Sequence, residues 1–485
     1  MGIPNNSHPL HVAMVSSPGT GHYTASLELA NHLISFHDVQ VTFFVTNTTT
    51  TLSSHSPTTT SATPNLHLIN LPPVDISEIS PENTSILSQI GIILRLSLPA
   101  IRSSIANSSP QPTVLIVDEF STDAFEIAES VSMKMYSLIT MNATEFSFMA
   151  YLPAFDKEIK IDYRQLTEPL RVPGCKSVPV KYLSDSFQDR NSESYKCALQ
   201  HAEKFGKASG ILVNTFYELE SHTIDSLNDE SIGRQISIPR VHAVGPLINS
   251  LNRPSFDGKD DKRDDVYLTW LDKQPNNSVV YVSFGSGGTL TPEQLTELAH
   301  GLEMSQQRFI WVVRPPQTPH QDTSAGYFHS GNGSNEPEHY LPAGFLDRTK
   351  DIGLVIPKWA PQIEILGHDS VGGFLSHCGW NSTLESIVNG VPMIGFPLFA
   401  EQRLNAWMMS SDDVKVAVQS EMTPREGLVK REEIEKMVRL VMEKEEGKEM
   451  RNRAKEFKQS AIRSLEKGGS SYNTLSKLVE NWKNA

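Results

Sequence analysis

Two doubly wound α/β domains of Rossmann type, facing each other across a cleft, are the fold this sequence predicts. Three observations predict it. Short apolar runs rich in Val, Ile and Phe alternate with longer helix-like stretches. The runs are continuous rather than alternating, which marks strands of a parallel sheet covered on both faces. The pattern occurs twice, and 485 residues exceed what one ordinary core holds.

In the first half the predicted strands are 11–16, 39–45, 113–117 and 210–213. In the second half they are 279–284, 309–313, 353–356, 372–376 and 392–396. Between the halves, residues 246–265 read PLINSLNRPSFDGKDDKRDD, which is linker composition. The expected division is therefore one Rossmann-like domain over 1–250 and a second over 251–460. A helix over 461–485 is expected to pack back on the first domain. Residues 47–62 and 315–339 read as polar loops. In such folds ligands sit beyond the C-terminal ends of the strands, so functional residues are expected just after strands in both halves.

Bulk composition excludes several classes. Hydrophobic content of 38% and charged content of 20% suit a folded chain rather than a disordered one. A formal charge of −14 argues against nucleic acid or an anionic membrane as a partner. Cys175, Cys197 and Cys378 form no metal or disulfide pattern and read as free thiols. The N-terminus MGIPNNSHPL lacks a basic region with an apolar run, and Asn6 stands where a myristoyl signal wants Ser or Thr. No run of about 18 apolar residues is apparent, so no membrane span is expected. A cytoplasmic monomer is the expectation.

Residues 359–402 carry the most information: WAPQIEILGHDSVGGFLSHCGWNSTLESIVNGVPMIGFPLFAEQ. A buried strand ends at Ser376, and His377-Cys378-Gly379-Trp380 makes a turn. Asn381 and Ser382 are good helix starters, and Ser382 to Glu385 fits a capping box. Gly390 ends that helix. A helix N-terminus offers unbonded N–H groups and a positive dipole end, which suit a pyrophosphate. His377, Asn381 and Ser382 add side-chain donors. Glu385 can accept from both hydroxyls of a ribose. Trp359 offers a flat face for a base. Glu401 and Gln402 follow the next strand and suit sugar hydroxyls. Taken singly, each residue is better read as a cap, a core aromatic or a surface carboxylate. Their order together favours a nucleotide-sugar site.

This block resembles the signature of plant family 1 UDP-glycosyltransferases, over its full length. The resemblance extends through Gly19-Thr20-Gly21-His22, Val117-Asp118-Glu119-Phe120, the segment at Cys175, Ile211 to Phe216 and Val282 to Ser286. Leu71 to Asp75 and Ser283 to Leu290 look most like the branch acting on hydroquinone, monolignols and related phenols. The family implies a GT-B fold with UDP-glucose held by the second domain. It implies Trp359 and Ala360 at the uracil, Gln362 at the nucleoside and Glu385 at the ribose. It places His377, Asn381, Ser382 and Ser286 at the phosphates. It places Trp380, Glu401 and Gln402 at the sugar, where a final Gln goes with glucose. No resident cofactor or metal is implied, and no D-x-D triplet occurs.

His22, in a Gly-rich turn after the first strand, is the candidate base. Asp118, at the end of another strand, is its expected partner. A lone His in a glycine turn is more often structural, but the two strand-end positions match the family pair. Ala25 replaces the proline that usually follows in the family loop. Phe120 and Phe148 are candidates for the acceptor pocket, and Asp123 reads as a helix starter. Cys378 reads as packed rather than nucleophilic. The expected reaction is O-glucosylation of a small phenolic or flavonoid with inversion. C-glucosylation by the same pair is the alternative, and a sugar-nucleotide-binding protein without catalysis is a remote one. A dinucleotide-dependent oxidoreductase fails, because Thr24 breaks the G-x-G-x-x-G fingerprint.

Overall fold

Thirteen strands are present among the described residues, and every one pairs in parallel with its neighbours. The computed structural model describes residues 9–47, 64–76, 84–172, 175, 177–248, 261–316, 336–424 and 426–484. The chain divides into two compact units. Unit 1 is Met1–Lys181, Ser186–Ile248 and Arg463–Ala485; unit 2 is Tyr182–Asp185 and Asn249–Ile462.

Unit 1 contains β1 (His11–Ser16), β2 (Gln40–Val45), β3 (Leu66–Asn70), β4 (Val114–Asp118), β5 (Lys134–Ile139), β6 (Gly210–Val213) and β7 (Val241–Ala243). They form one sheet in the order β3-β2-β1-β4-β5-β6-β7. β1 and β4 are buried at every residue, as their unbroken apolar runs require. β3, β5 and β7 were not anticipated. β3 lies at an edge and is of mixed burial, β5 begins Lys-Met-Tyr-Ser, and β7 has three residues, so none reads as a continuous apolar run.

Unit 2 contains β8 (Val279–Ser283), β9 (Arg308–Val313), β10 (Gly353–Pro357), β11 (Val371–Ser376), β12 (Met393–Gly395) and β13 (Ala417–Gln419). Their order is β10-β9-β8-β11-β12-β13. β13, again three residues long, was also not anticipated. Both sheets therefore run outward from a central pair, β1 and β4 in one and β8 and β11 in the other. Each central pair is the switch point of its sheet. Successive strands add on one side and then on the other, and a crevice opens at the C-terminal ends.

Several sequence expectations need amendment. The end of the supposed linker is helical, because a helix spans Asp261–Leu271. Most of the loop expected at 47–62 and most of that at 315–339 lie outside the described residues. The helix Ile86–Ala106 is long and apolar enough to cross a membrane by length and composition, with a mean hydropathy of 1.3. No such run was expected anywhere in the chain, and this helix amends that, with Arg95 and Arg102 lying within it. In unit 1 it packs on the helix Glu193–Lys204 and buries Ile90, Ile93, Leu94, Leu98, Ile101 and Ile105. Arg95 reaches Asp123 at 3.4 Å and Arg102 reaches Glu126 at 3.0 Å.

The helix Ser470–Lys483 belongs to unit 1 and closes its core. Leu475, Leu478, Val479 and Trp482 join the cluster that contains Val12, Met14, Val41 and Ile116. Trp482 packs edge-on against Tyr136 with ring centroids 5.2 Å apart. Ser471 anchors the helix start by donating to the Gly245 carbonyl at 2.5 Å. Truncating a buried aromatic of this kind costs about 3 to 5 kcal/mol. Trp482→Ala is expected to lower the unfolding free energy of unit 1 by that amount, measured by urea titration followed through circular dichroism, because the other five tryptophans all lie in unit 2.

Candidate active site

In unit 1 the residues after β1 and β4 meet. The turn Ser17-Pro18-Gly19 leads into the helix Thr20–His37. Gly19 caps it at φ 131, a conformation that residues with a Cβ avoid. His22 thus stands in the first turn of a helix, not in a loop. The helix continues through Ala25, which is fully buried. A proline there would lack the N–H that a helix interior needs.

Asp118, the last residue of β4, has a side chain with no exposed surface. Its carboxylate accepts from Ser17 N at 2.5 Å, Ser17 Oγ at 2.8 Å and Phe120 N at 3.2 Å. His22 Nδ1 lies 3.3 Å from Asp118 Oδ2. Burial by itself would raise the carboxyl, but the His22 contact and the Ser17 bonds outweigh it and hold Asp118 below the usual range. The expected His22 and Asp118 pair is therefore assembled.

Two neighbours of this pair were missed. Glu119 is 1% exposed and lies 3.8 Å from His22 Nδ1. Burial pushes it up to about 7, with His22 opposing and Asp118 adding to the rise. Thr140, just after β5, places Oγ1 3.2 Å from the same nitrogen. An acid directly after a strand-end acid is the only sequence signal, and it is weak. Successive strand residues face opposite ways, yet β4 ends at Asp118 and the following turn swings Glu119 back.

Phe120 is half-buried, with its ring centroid 5.4 Å from that of His22 and 5.9 Å from that of His201. His201 Nδ1 lies 2.7 Å from Thr122 Oγ1, and burial lowers His201 to about 4. Phe148 is only 1% exposed and packs among Phe155, Tyr163 and Phe187, so it offers no open face to a ligand as it stands. Asp123 lies in the turn before the helix Phe125–Ser130, and its carboxylate pairs with Lys204 and Arg95.

In unit 2 the residues after β8 and β11 meet in the same way. Gly285 follows β8 at φ 70, and His377 follows β11. A Cβ on Gly285 would stand 2.6 Å from His377 Cε1, and one on Gly379 2.6 Å from Nε2. The two glycines thus make the slot for the ring. Burial lowers His377 to about 4, so the imidazole is neutral, and its Nδ1 is buried with no partner among the described residues. Ser286 is exposed, and Arg314 braces its loop by donating to the carbonyls of Ser286 and Gly285.

The helix after this turn is Trp380–Asn389, capped by Gly379 without any side-chain bond. This corrects the expected start at Asn381 and Ser382 and the capping box. Ser382 lies inside the first turn, and Glu385 is turned away. Gln362 Nε2 donates to Ser382 Oγ at 3.0 Å and to Glu385 Oε2 at 2.5 Å. These side-chain bonds replace the box, and the cap residue Gly379 makes no side-chain cap bond. Burial raises Glu385 to about 7, although the Gln362 bond works against it. Gln362, Ser382 and Glu385 are thus one cluster, while Asn381 is half-buried and Trp380 is 2% exposed.

Trp359, after β10, leaves 70% of its surface exposed, whereas Ala360 beside it is 3% exposed. Glu401 caps the helix Gln402–Ser410. Gln402 Oε1 accepts from Leu398 N at 2.8 Å and Phe399 N at 3.1 Å. Two backbone donors require an oxygen there, so they also fix which way the amide group faces. Cys378 is buried with its thiol pushed up to about 12, in line with a packed residue.

Comparison with known proteins gives a consistent picture. A family model described as UDP-glucoronosyl and UDP-glucosyl transferase matches residues 262–451. UDP-glycosyltransferase 72B1 of Arabidopsis thaliana is 42% identical over 479 residues, covering 98% of this chain and 96% of that protein. Hydroquinone glucosyltransferase of Rauvolfia serpentina is 40% identical over 479 residues, covering 98% of both. The crystal structure of TcCGT1 in complex with UDP matches with a TM-score of 0.89 and 41% identity, over 98% of this chain and 100% of that one.

The slot around His377 generates one prediction. In Gly285→Ala the added methyl meets the ring, and the left-handed backbone adds strain of about 1 kcal/mol or more. Thermal unfolding is expected to show a loss of about 2 kcal/mol, whereas Ser286→Ala next to it is expected to change stability by less than about 0.5 kcal/mol.

Proposed function

The chain belongs to the plant family of UDP-glycosyltransferases, with the GT-B fold, and from that premise we propose that it transfers glucose from UDP-glucose to a hydroxyl of a small phenolic or flavonoid. The observation that carries this reading is His22 Nδ1 at 3.3 Å from a fully buried Asp118 at the switch point of unit 1. A sugar-nucleotide-binding protein has no use for such a pair.

His22 takes the acceptor proton on Nε2. Asp118 fixes the tautomer through Nδ1 and stabilises the imidazolium that forms. The acceptor oxygen then bonds to the anomeric carbon as the bond from that carbon to the UDP oxygen breaks. One in-line displacement inverts the α-linked donor to a β-glucoside. The logic of the pair is that of a His–Asp couple acting on a substrate hydroxyl.

In unit 2 the N-terminus of the helix Trp380–Asn389 supplies backbone N–H groups and a positive dipole end for the departing diphosphate. His377, neutral at physiological pH, serves there as a hydrogen-bond donor rather than a counter-charge. Asn381, Ser382 and Ser286 complete the cradle. Exposed Trp359 stacks on uracil, with Ala360 beside it. Glu385, braced by Gln362, accepts from the ribose hydroxyls. Trp380 and Glu401 flank the sugar. Gln402 gives its oxygen to the loop at Leu398 and Phe399, so its NH2 is the end turned to a sugar hydroxyl. Likeness to a hydroquinone glucosyltransferase supports a phenolic acceptor.

An acceptor screen with UDP-glucose and UDP-galactose, read by mass spectrometry, tests the reading. Glucosides of one or more phenols or flavonoids are expected, and their cleavage by acid distinguishes O- from C-linked products. No product from any of them counts against it. His22→Ala is expected to lose at least about a thousandfold in kcat while calorimetry shows unchanged UDP affinity. Loss of UDP binding in a folded His22→Ala protein defeats the assignment of His22 as the base.

A further inference from the structure

The Nδ1 edge of His22 faces more acid than orientation of the ring requires. Asp118 alone would set the tautomer. Yet Nδ1 also lies 3.2 Å from Thr140 Oγ1 and 3.8 Å from Glu119 Oε1. β5 pairs directly with β4, which brings Thr140 alongside Asp118 and Glu119. The Thr140 hydroxyl donates to Glu119 Oε1 at 2.7 Å, and Thr140 N donates to Oε2 at 3.0 Å. A hydroxyl whose proton points to a carboxylate turns its lone pairs toward another N–H donor. Here that donor is His22 Nδ1–H. A carboxylate this buried, held by Thr140 and its own backbone N–H, is costly unless a cation stands near it. His22 is that group once it has taken a proton.

We propose that Glu119 is a positioning residue: through Thr140 it forms a second acidic arm on His22, and it thereby extends the enzyme to acceptors with weakly acidic hydroxyls. The proposal rests on His22 being the base. The charged and titratable groups around the arm are Asp118 from β4, His22 from the helix Thr20–His37 and, beyond Phe120, His201 from the helix Glu193–Lys204. His201 is held neutral by burial, so it adds no charge. Asp118 and Glu119 repel each other, and with burial this leaves Glu119 near 7. Near neutral pH part of the population therefore carries a proton on Glu119. When His22 becomes an imidazolium, its charge favours the Glu119 carboxylate, and the carboxylate in turn favours the imidazolium. The sign follows. Removing the carboxylate makes His22 a weaker base, so the acid limb of kcat/KM moves to lower pH. A weaker base penalises the less acidic hydroxyls most.

The test measures kcat/KM against pH, and against a series of substituted phenols of graded acidity. It uses the full-length enzyme, Glu119→Gln, Thr140→Val and His22→Ala, with UDP affinity as the control for folding. Glu119→Gln is expected to move the acid limb down by about one pH unit. It is expected to lose about tenfold on the least acidic phenol and less than about twofold on a nitrophenol. Thr140→Val keeps the carboxylate but removes the bridge, and a smaller change in the same direction is expected. It carries the test if Glu119→Gln does not fold. An unchanged acid limb and an unchanged dependence on phenol acidity in both variants overturn the proposal while His22→Ala is inactive. Transfer by His22→Ala instead overturns the assignment of the base itself.

Discussion

The pairing of β1 with β4, and of β8 with β11, is the constraint on which both candidate sites depend. In each sheet these two strands are neighbours, and the chain leaves them toward opposite edges. The segments that follow diverge, and the crevice they leave must be lined by whatever comes next in sequence. In unit 1 that is His22 after β1 and Asp118 at the end of β4. In unit 2 it is Gly285 after β8 and His377 after β11. Residues about a hundred positions apart meet because the register aligns Val15 with Val117 and Ser283 with Ser376.

Burial then sets the chemistry. Asp118 has no exposed side-chain surface, and an uncompensated carboxylate there would cost several kcal/mol. The turn after β1 compensates it with a backbone N–H and a hydroxyl from Ser17, so the same bonds that lock the turn keep the acid ionised. Glu119 is held by Thr140 and its own backbone N–H, and burial leaves it near 7. Glu385 in unit 2 is similar, with Gln362 as its donor. Adjacent carboxylates thus differ in charge because they differ in donors, not in exposure.

Much of this was legible. The strands forming the middle of each sheet are unbroken apolar runs, and all nine predicted segments contain a strand. The donor residues stand close together in sequence and follow strands in the expected order. His22 and Asp118 were singled out because each follows or ends a strand, and the structure brings them to 3.3 Å. What the sequence hid has local causes. β7 and β13 are too short to show a period, and β3 is an edge strand of mixed burial. The helix at Trp380 begins two residues before its best capping residue, because Gln362 from another helix engages Ser382 and Glu385. Phe148 reads as a pocket aromatic but packs against three other rings.

By itself the sequence determined the sheet-forming runs, the turn after β11 and the choice of His22 and Asp118 as a candidate pair. These depend on residue type and on order along the chain, which local patterning displays. Only the tertiary structure decided which groups surround those residues. The Gly285 wall of the slot for His377, the Gln362 bonds to Ser382 and Glu385, and the Glu119 and Thr140 arm on His22 each require segments distant in sequence to come within a few ångströms. Such proximity is set by sheet order and register, and no local pattern encodes it.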